Sequence, residues 1–166
     1  PTEEVPQEPD EAPNFSDVPA DAWYAQAVGY CRENGLMSGT SADTFSPDTV
    51  TSRAMLTTIL WRQAGSPAPS RHSTFTDTAA DAWYREALDW AVEQGVISGY
   101  DDGRFGPNDP ITREQFVVLL WRSAGSPGAG SSQPFTDQGD ISDYAAEAVA
   151  WARSEGIIGG KEGNRF

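Results

Sequence analysis

The sequence predicts an all-α protein, mainly helical with long loops, made of tandem helix-loop-helix repeats. Three observations carry this. Similar phrases recur at a spacing of sixty residues, opened by Phe15, Phe75 and Phe135: FSDVPADAWY, FTDTAADAWY and FTDQGDISDY. Apolar residues inside each repeat follow helical spacing. Glycine and proline punctuate the ends of the apolar runs.

The first predicted helix of each repeat follows Asp21 or Asp81, acceptors suited to cap free N–H groups. Its stripe is Tyr24, Ala27, Val28 and Cys31, matched by Tyr84, Ala87, Leu88 and Ala91. Cys31, the single cysteine, is expected as a small buried thiol. Trp23 and Trp83 sit at helical spacing with these residues and are expected in the core. Gly35, Gly95 and Gly156 stand where a left-handed C-terminal cap belongs. A turn-rich loop follows, YDDGRFGPNDP in the second repeat. The second helix starts at Ser52 or Thr112, where Thr112 and Gln115 spell a capping box. Its stripe is Leu56, Ile59 and Leu60, or Phe116, Leu119 and Leu120, and AGSP ends it.

The domain boundaries read as an acidic Pro-rich linker (1–14), repeat 1 (15–67), a linker (68–74), repeat 2 (75–127), a linker (128–134) and the first half of repeat 3 (135–166). The linkers need not be ordered. The opening stretch has five acids, no base and four prolines, a composition that buries no core; it is expected to join this chain to more protein. Two helices cannot cover both of their apolar faces, so the repeats are expected to pack on one another.

Composition excludes several functions. The formal net charge is −14, from 25 acids against 11 bases, so the chain repels nucleic-acid phosphates and anionic membrane surfaces. No stretch is long and apolar enough to insert in a bilayer. One cysteine forms no internal disulfide, and no cofactor motif or metal-ligand set stands out. His72 lies in a linker without a ligand-spaced partner, and one histidine builds no catalytic relay. The Asp101, Asp102, Gly103, Asn108, Asp109 loop lacks the ligand spacing of a calcium loop and reads as a solvated turn. A glycosidase needs one asymmetric pair of carboxylates, which a duplicated scaffold does not favour.

In fixed order, FSDV, WYAQAV, GLMSG, TFSP, TSRA and LWRQAG in repeat 1, and WYREAL, GVISG, DGRFGP, ITREQF and LWRSAG in repeat 2, resemble the S-layer homology family. The resemblance covers residues 15–166. It implies three repeats with pseudo-threefold symmetry and no enzymatic activity. It also implies a Gram-positive-type cell-surface location, and anchorage to an anionic, for instance pyruvylated, secondary wall polysaccharide held in grooves between repeats. The alternative function is protein–protein docking within an extracellular assembly. The hallmark Thr-Arg-Ala-Glu segment departs from the family pattern. Met55 and Gln115 stand at its Glu position while Arg53 and Arg113 keep the cation, and a third copy does not occur within these residues. Self-association is one way to complete the third repeat.

The ligand candidates are therefore Arg53 and Arg113, which open helices where backbone N–H groups also favour an anion. The competing role is an ion pair with a neighbouring carboxylate. Asp17, Asp77 and Asp137 are candidates to accept sugar hydroxyls, or else to cap turns. Gly39 and Gly99 are candidates for close approach of a ligand, or else simple turn glycines. Trp61 and Trp121, each beside an arginine, are candidates to stack on a sugar ring, or else to pack.

Overall fold

The computed structural model describes residues 15–166, and the acidic linker expected over 1–14 lies outside the described residues. Five α-helices make up the regular structure: α1 (Ala25–Glu33), α2 (Arg53–Gln63), α3 (Arg85–Glu93), α4 (Arg113–Ser123) and α5 (Ala146–Ser154). Short 3₁₀ turns accompany them, and no strand occurs among the described residues. The all-α prediction is borne out. The chain divides into two compact units, one ending at Thr49 and the other spanning Val50–Phe166.

The unit ending at Thr49 holds the single helix α1. Phe15 is buried and packs on the Phe45 ring at 5.5 Å, with the Arg32 guanidinium over its face at 4.4 Å. Ala27 and Tyr30 remain exposed and Cys31 is half-buried rather than buried, since among the described residues of this unit no second helix covers them.

In the unit spanning Val50–Phe166 the helices pair across the sequence repeats. The α2 helix packs on α3, α4 packs on α5, and a smaller contact joins α2 to α4. The α3 and α4 helices, which share one sequence repeat, are not paired. Leu56 and Leu60 of α2 meet Leu88 and Ala91 of α3, closed by Val96, Phe105 and Leu119. Val117 and Val118 of α4 meet Ala148, Val149 and Ala152 of α5. The α4 stripe is thus rotated from the expected one, leaving Phe116 partly exposed.

Helix ends follow local chemistry. The Ser52 hydroxyl accepts from the Met55 N–H, and Thr112 and Gln115 close the expected capping box. Gly35, Gly95 and Gly156 adopt positive φ of 66°, 69° and 71°. Beyond Gly95, Val96 N–H donates back to Ala91 C=O and Gly95 N–H to Val92 C=O, the two bonds of a Schellman stop. Asp21 and Asp81 do not cap: α1 and α3 begin after Tyr24 and Tyr84 without a side-chain cap bond. Consecutive backbone turns, such as Ala82 N–H to Ala79 C=O and Arg85 N–H to Ala82 C=O, occupy the donors there.

The linker 68–74, for which the sequence required no order, is held in place: Glu93 accepts from the Ser70 N–H and hydroxyl, and Asp89 accepts from the Ser73 N–H and hydroxyl and pairs with His72 at 2.8 Å. His72 therefore has a partner, a structural one. Trp23 and Trp83 are not core residues; they are 93% and 66% exposed. Each stands edge-on against the tyrosine that follows it, and it is Tyr84, not Trp83, that points inward.

Candidate functional site

Arg53 opens α2, and its side chain crosses to the loop of the following repeat. It is only 6% exposed, donates Nε–H to the Phe105 carbonyl at 2.9 Å, and makes a longer 3.5 Å contact from Nη2 to the Ser98 carbonyl. Its guanidinium lies over the Tyr100 ring at 4.7 Å. The α2 start is itself tied to that loop, since Arg53 N–H donates to the Asp109 carbonyl and Ala54 N–H to the Pro107 carbonyl.

Arg113 repeats this arrangement one step along the chain. Its Nη2–H donates to the Gly159 carbonyl at 2.8 Å and its guanidinium lies over the Phe166 ring at 4.9 Å. Its Nε is buried without a hydrogen-bond partner. Among the described residues neither Arg53 nor Arg113 forms an ion pair, so the competing role, a carboxylate partner, is not what holds them. Carbonyl dipoles and aromatic faces orient these two cations without cancelling their formal charge.

The opening aspartate of each repeat shapes that repeat's own loop, and the loops of Asp77 and Asp137 are the ones that face Arg53 and Arg113. Asp77 accepts from the Phe105 and Gly106 N–H groups, each at 2.8 Å; Asp17 does the same with Phe45 and Ser46 at 2.8 and 2.6 Å. Asp137 accepts from Phe166 N–H at 2.8 Å, with Arg165 3.6 Å away. Burial raises the Asp77 pKa, but the two amides outweigh it and leave the carboxyl below its ordinary value. For Asp17 and Asp137 the amides of Phe45 and Phe166 are the main cause of the same lowering. These bonds engage the oxygens proposed for sugar hydroxyls, so the observed role is loop capping.

Gly39 and Gly99 make room for protein, not for a ligand. A Cβ on Gly39 would lie 2.6 Å from the Phe15 ring, and one on Gly99 would collide with Phe75 and lie 2.8 Å from the Arg104 carbonyl. Trp61 and Trp121 sit half-buried near the ends of α2 and α4, with indole N–H groups donating to the Pro67 and Pro127 carbonyls at 2.9 and 2.8 Å.

Sequence reasoning missed the aromatic partners Tyr100 and Phe166, although an aromatic two or three residues from a loop glycine was the available signal. It also missed Glu114, whose carboxylate accepts from Ser142 N–H at 2.7 Å and Tyr144 O–H at 3.0 Å. The Ser142 amide is the main cause of its lowered pKa. No group of three or more His, Cys, Asp or Glu side chains suited to a metal occurs among the described residues. No described helix is long and apolar enough to cross a membrane.

Fold and site together define a helical repeat module whose arginines reach from one repeat into the loop of the next. The S-layer homology domain model matches residues 14–54, 74–117 and 134–166, and the chain belongs to that family. It is 34% identical over 140 residues to an endoglucanase of Bacillus sp. (strain KSM-635), covering 81% of this chain and 15% of that protein. It is 37% identical over 114 residues to the surface-layer 125 kDa protein of Lysinibacillus sphaericus, covering 66% and 10%. It is 30% identical over 149 residues to the cellulosome-anchoring protein of Acetivibrio thermocellus, covering 87% and 32%. The chain thus spans a third or less of each of these relatives.

Proposed function

We propose that this chain is a non-catalytic anchoring module of the extracellular cell surface, holding an anionic secondary wall polysaccharide through Arg53 and Arg113. The observation that carries the reading is the uncompensated guanidinium. In a chain of net charge −14, two arginines are held at repeat junctions by carbonyls and rings rather than carboxylates. The buried Nε of Arg113 lacks an acceptor, and burying such a donor costs about 1–3 kcal/mol. A carboxylate of a pyruvyl ketal, or a phosphate, supplies both the acceptor and the charge. The names of the surface-layer and cellulosome-anchoring relatives support surface attachment, and the small share of the endoglucanase that is matched agrees with a module separate from catalysis.

A pseudo-threefold arrangement follows if a further helix, from more of the same protein or from a second copy, lies on the third repeat. Co-sedimentation with purified wall sacculi tests the function. Retention is expected for the intact chain. It should be lost when the non-peptidoglycan polysaccharide is stripped, and should fall at least tenfold for Arg113→Ala with unchanged thermal unfolding. Retention insensitive to both treatments overturns the proposal.

A further inference from the structure

Eight residues beyond Arg53 on α2, about 12 Å along the helix axis, Trp61 forms one wall of an open cleft. Asp81, Trp83, Arg85 and Glu86 line it as well, together with His72 and Asp89. We infer that this cleft is a second glycan contact that takes an uncharged sugar ring, the two indoles supplying the stacking faces and Asp81 and Glu86 the hydroxyl acceptors. The inference rests on the wall-polysaccharide reading for its biological setting but uses none of its arginine contacts.

Four features support it. Trp83 is fixed rather than loose, its ring meeting Tyr84 edge-on at 5.3 Å and 90°, while Tyr84 itself is buried. A large apolar ring held rigidly in water forfeits burial free energy that only a ligand recovers. Trp61 is oriented by its N–H bond to Pro67, so its polar edge is already satisfied. The cleft floor is also satisfied: Arg85 donates Nε–H to Asp89 at 3.1 Å and Nη1–H to Thr78, and its Nη2–H meets the Ser73 carbonyl. Asp81 and Glu86 on the rim are exposed, and among the described residues neither is engaged in a hydrogen bond or ion pair.

Charge selects the ligand class. Asp89 is held between Arg85 and His72, which leaves the two rim carboxylates facing the opening, and they repel the anionic sugar suited to Arg113. Uncharged sugars present C–H faces to indoles and hydroxyl donors to carboxylates. The third repeat has a cleft lined by Ile141, Ala146, Ala150 and Arg153, with no indole in its lining. There the position of Trp83 is Tyr144, tied to Glu114, and those of Arg85 and Asp89 are Ala146 and Ala150.

The test is a ¹H–¹⁵N titration of the full chain, following its six indole N–H signals with N-acetylchitotetraose and cellotetraose as uncharged probes. At least one probe is expected to shift the Trp61 and Trp83 signals saturably, equally at low and high salt. Trp83→Ala should weaken the effect about tenfold, Trp61→Phe should weaken it less, and Arg113→Ala should leave it unchanged. The idea fails if neither probe moves these signals at concentrations on the order of 10 mM. It also fails if Trp83→Ala has no effect, or if tetramethylammonium moves them where the sugars do not. Loss of sugar binding with sacculi retention intact removes the cleft alone. Intact sugar binding without retention on sacculi removes the arginine site alone.

Discussion

At the residue scale, Asp77 and Asp137 each hold the loop that an arginine of the preceding repeat contacts. Asp77→Ala removes the acceptor of two loop amides, and a loss of about 1–3 kcal/mol is expected in urea unfolding. Asp89 makes a pH-dependent contribution. Burial raises its pKa, but hydrogen bonds from Ser73, His72 and Arg85 outweigh that and bring it to about 2, against 3.8 for the free group. Because the folded value is the lower one, the stabilisation is full above pH 3.8 and disappears as pH falls towards 2. Thermal unfolding of Asp89→Asn and of the unaltered chain should therefore differ most near neutrality and converge in acid. None of this network was legible in advance. Asp89 occupies a position where the other repeats have Gly29 and Ala150, and nothing in a helical period shows that a linker will bring hydroxyls to a buried carboxylate. The misplacement of Trp23 and Trp83 has a related cause. Spacing identifies a helix face, but these residues precede the first helical turn, where the chain is still turning and adjacent side chains diverge.

At the element scale, the helices announced themselves where capping is local. Thr112 and Gln115 needed only their own four-residue segment, and the Schellman glycines only the preceding turn. Thr112→Ala should cost about 1 kcal/mol, read from the urea midpoint. Leu88→Ala, at a fully buried position between α2 and α3, should cost about 2–5 kcal/mol by the same measurement. The pairing of helices was not legible. An apolar stripe requires a partner without naming it, and the connections on either side of α2, residues 34–52 and 64–84, are similar in length. Packing decided the matter: Leu56 and Leu60 complete a core with α3 of the next repeat.

At the scale of the whole molecule, folding should follow those cores rather than the sequence period. The fragment 50–166 should retain cooperative unfolding by circular dichroism, because both helix pairs survive in it. The fragment 75–127, one sequence repeat, should be largely unfolded, since it holds α3 without α2 and α4 without α5. A cooperative melt from the shorter fragment would contradict the pairing. The inter-repeat reach of Arg53 and Arg113 depends on the same offset, while for the aspartates and glycines, where sequence left a ligand role and a turn role both open, the geometry shows loop support.

The offset also bears on how such arrays can change length. Excising residues 75–134, one sequence repeat with its linker, leaves a sequence that still reads as whole repeats. It also forces α2 to face α5, setting Leu56 and Leu60 against a surface matched to Val117 and Val118. Loss of a repeat along the sequence boundaries therefore creates a seam between side chains matched to other partners, whereas loss of residues 53–112 removes α2 together with α3 and leaves α4 on α5.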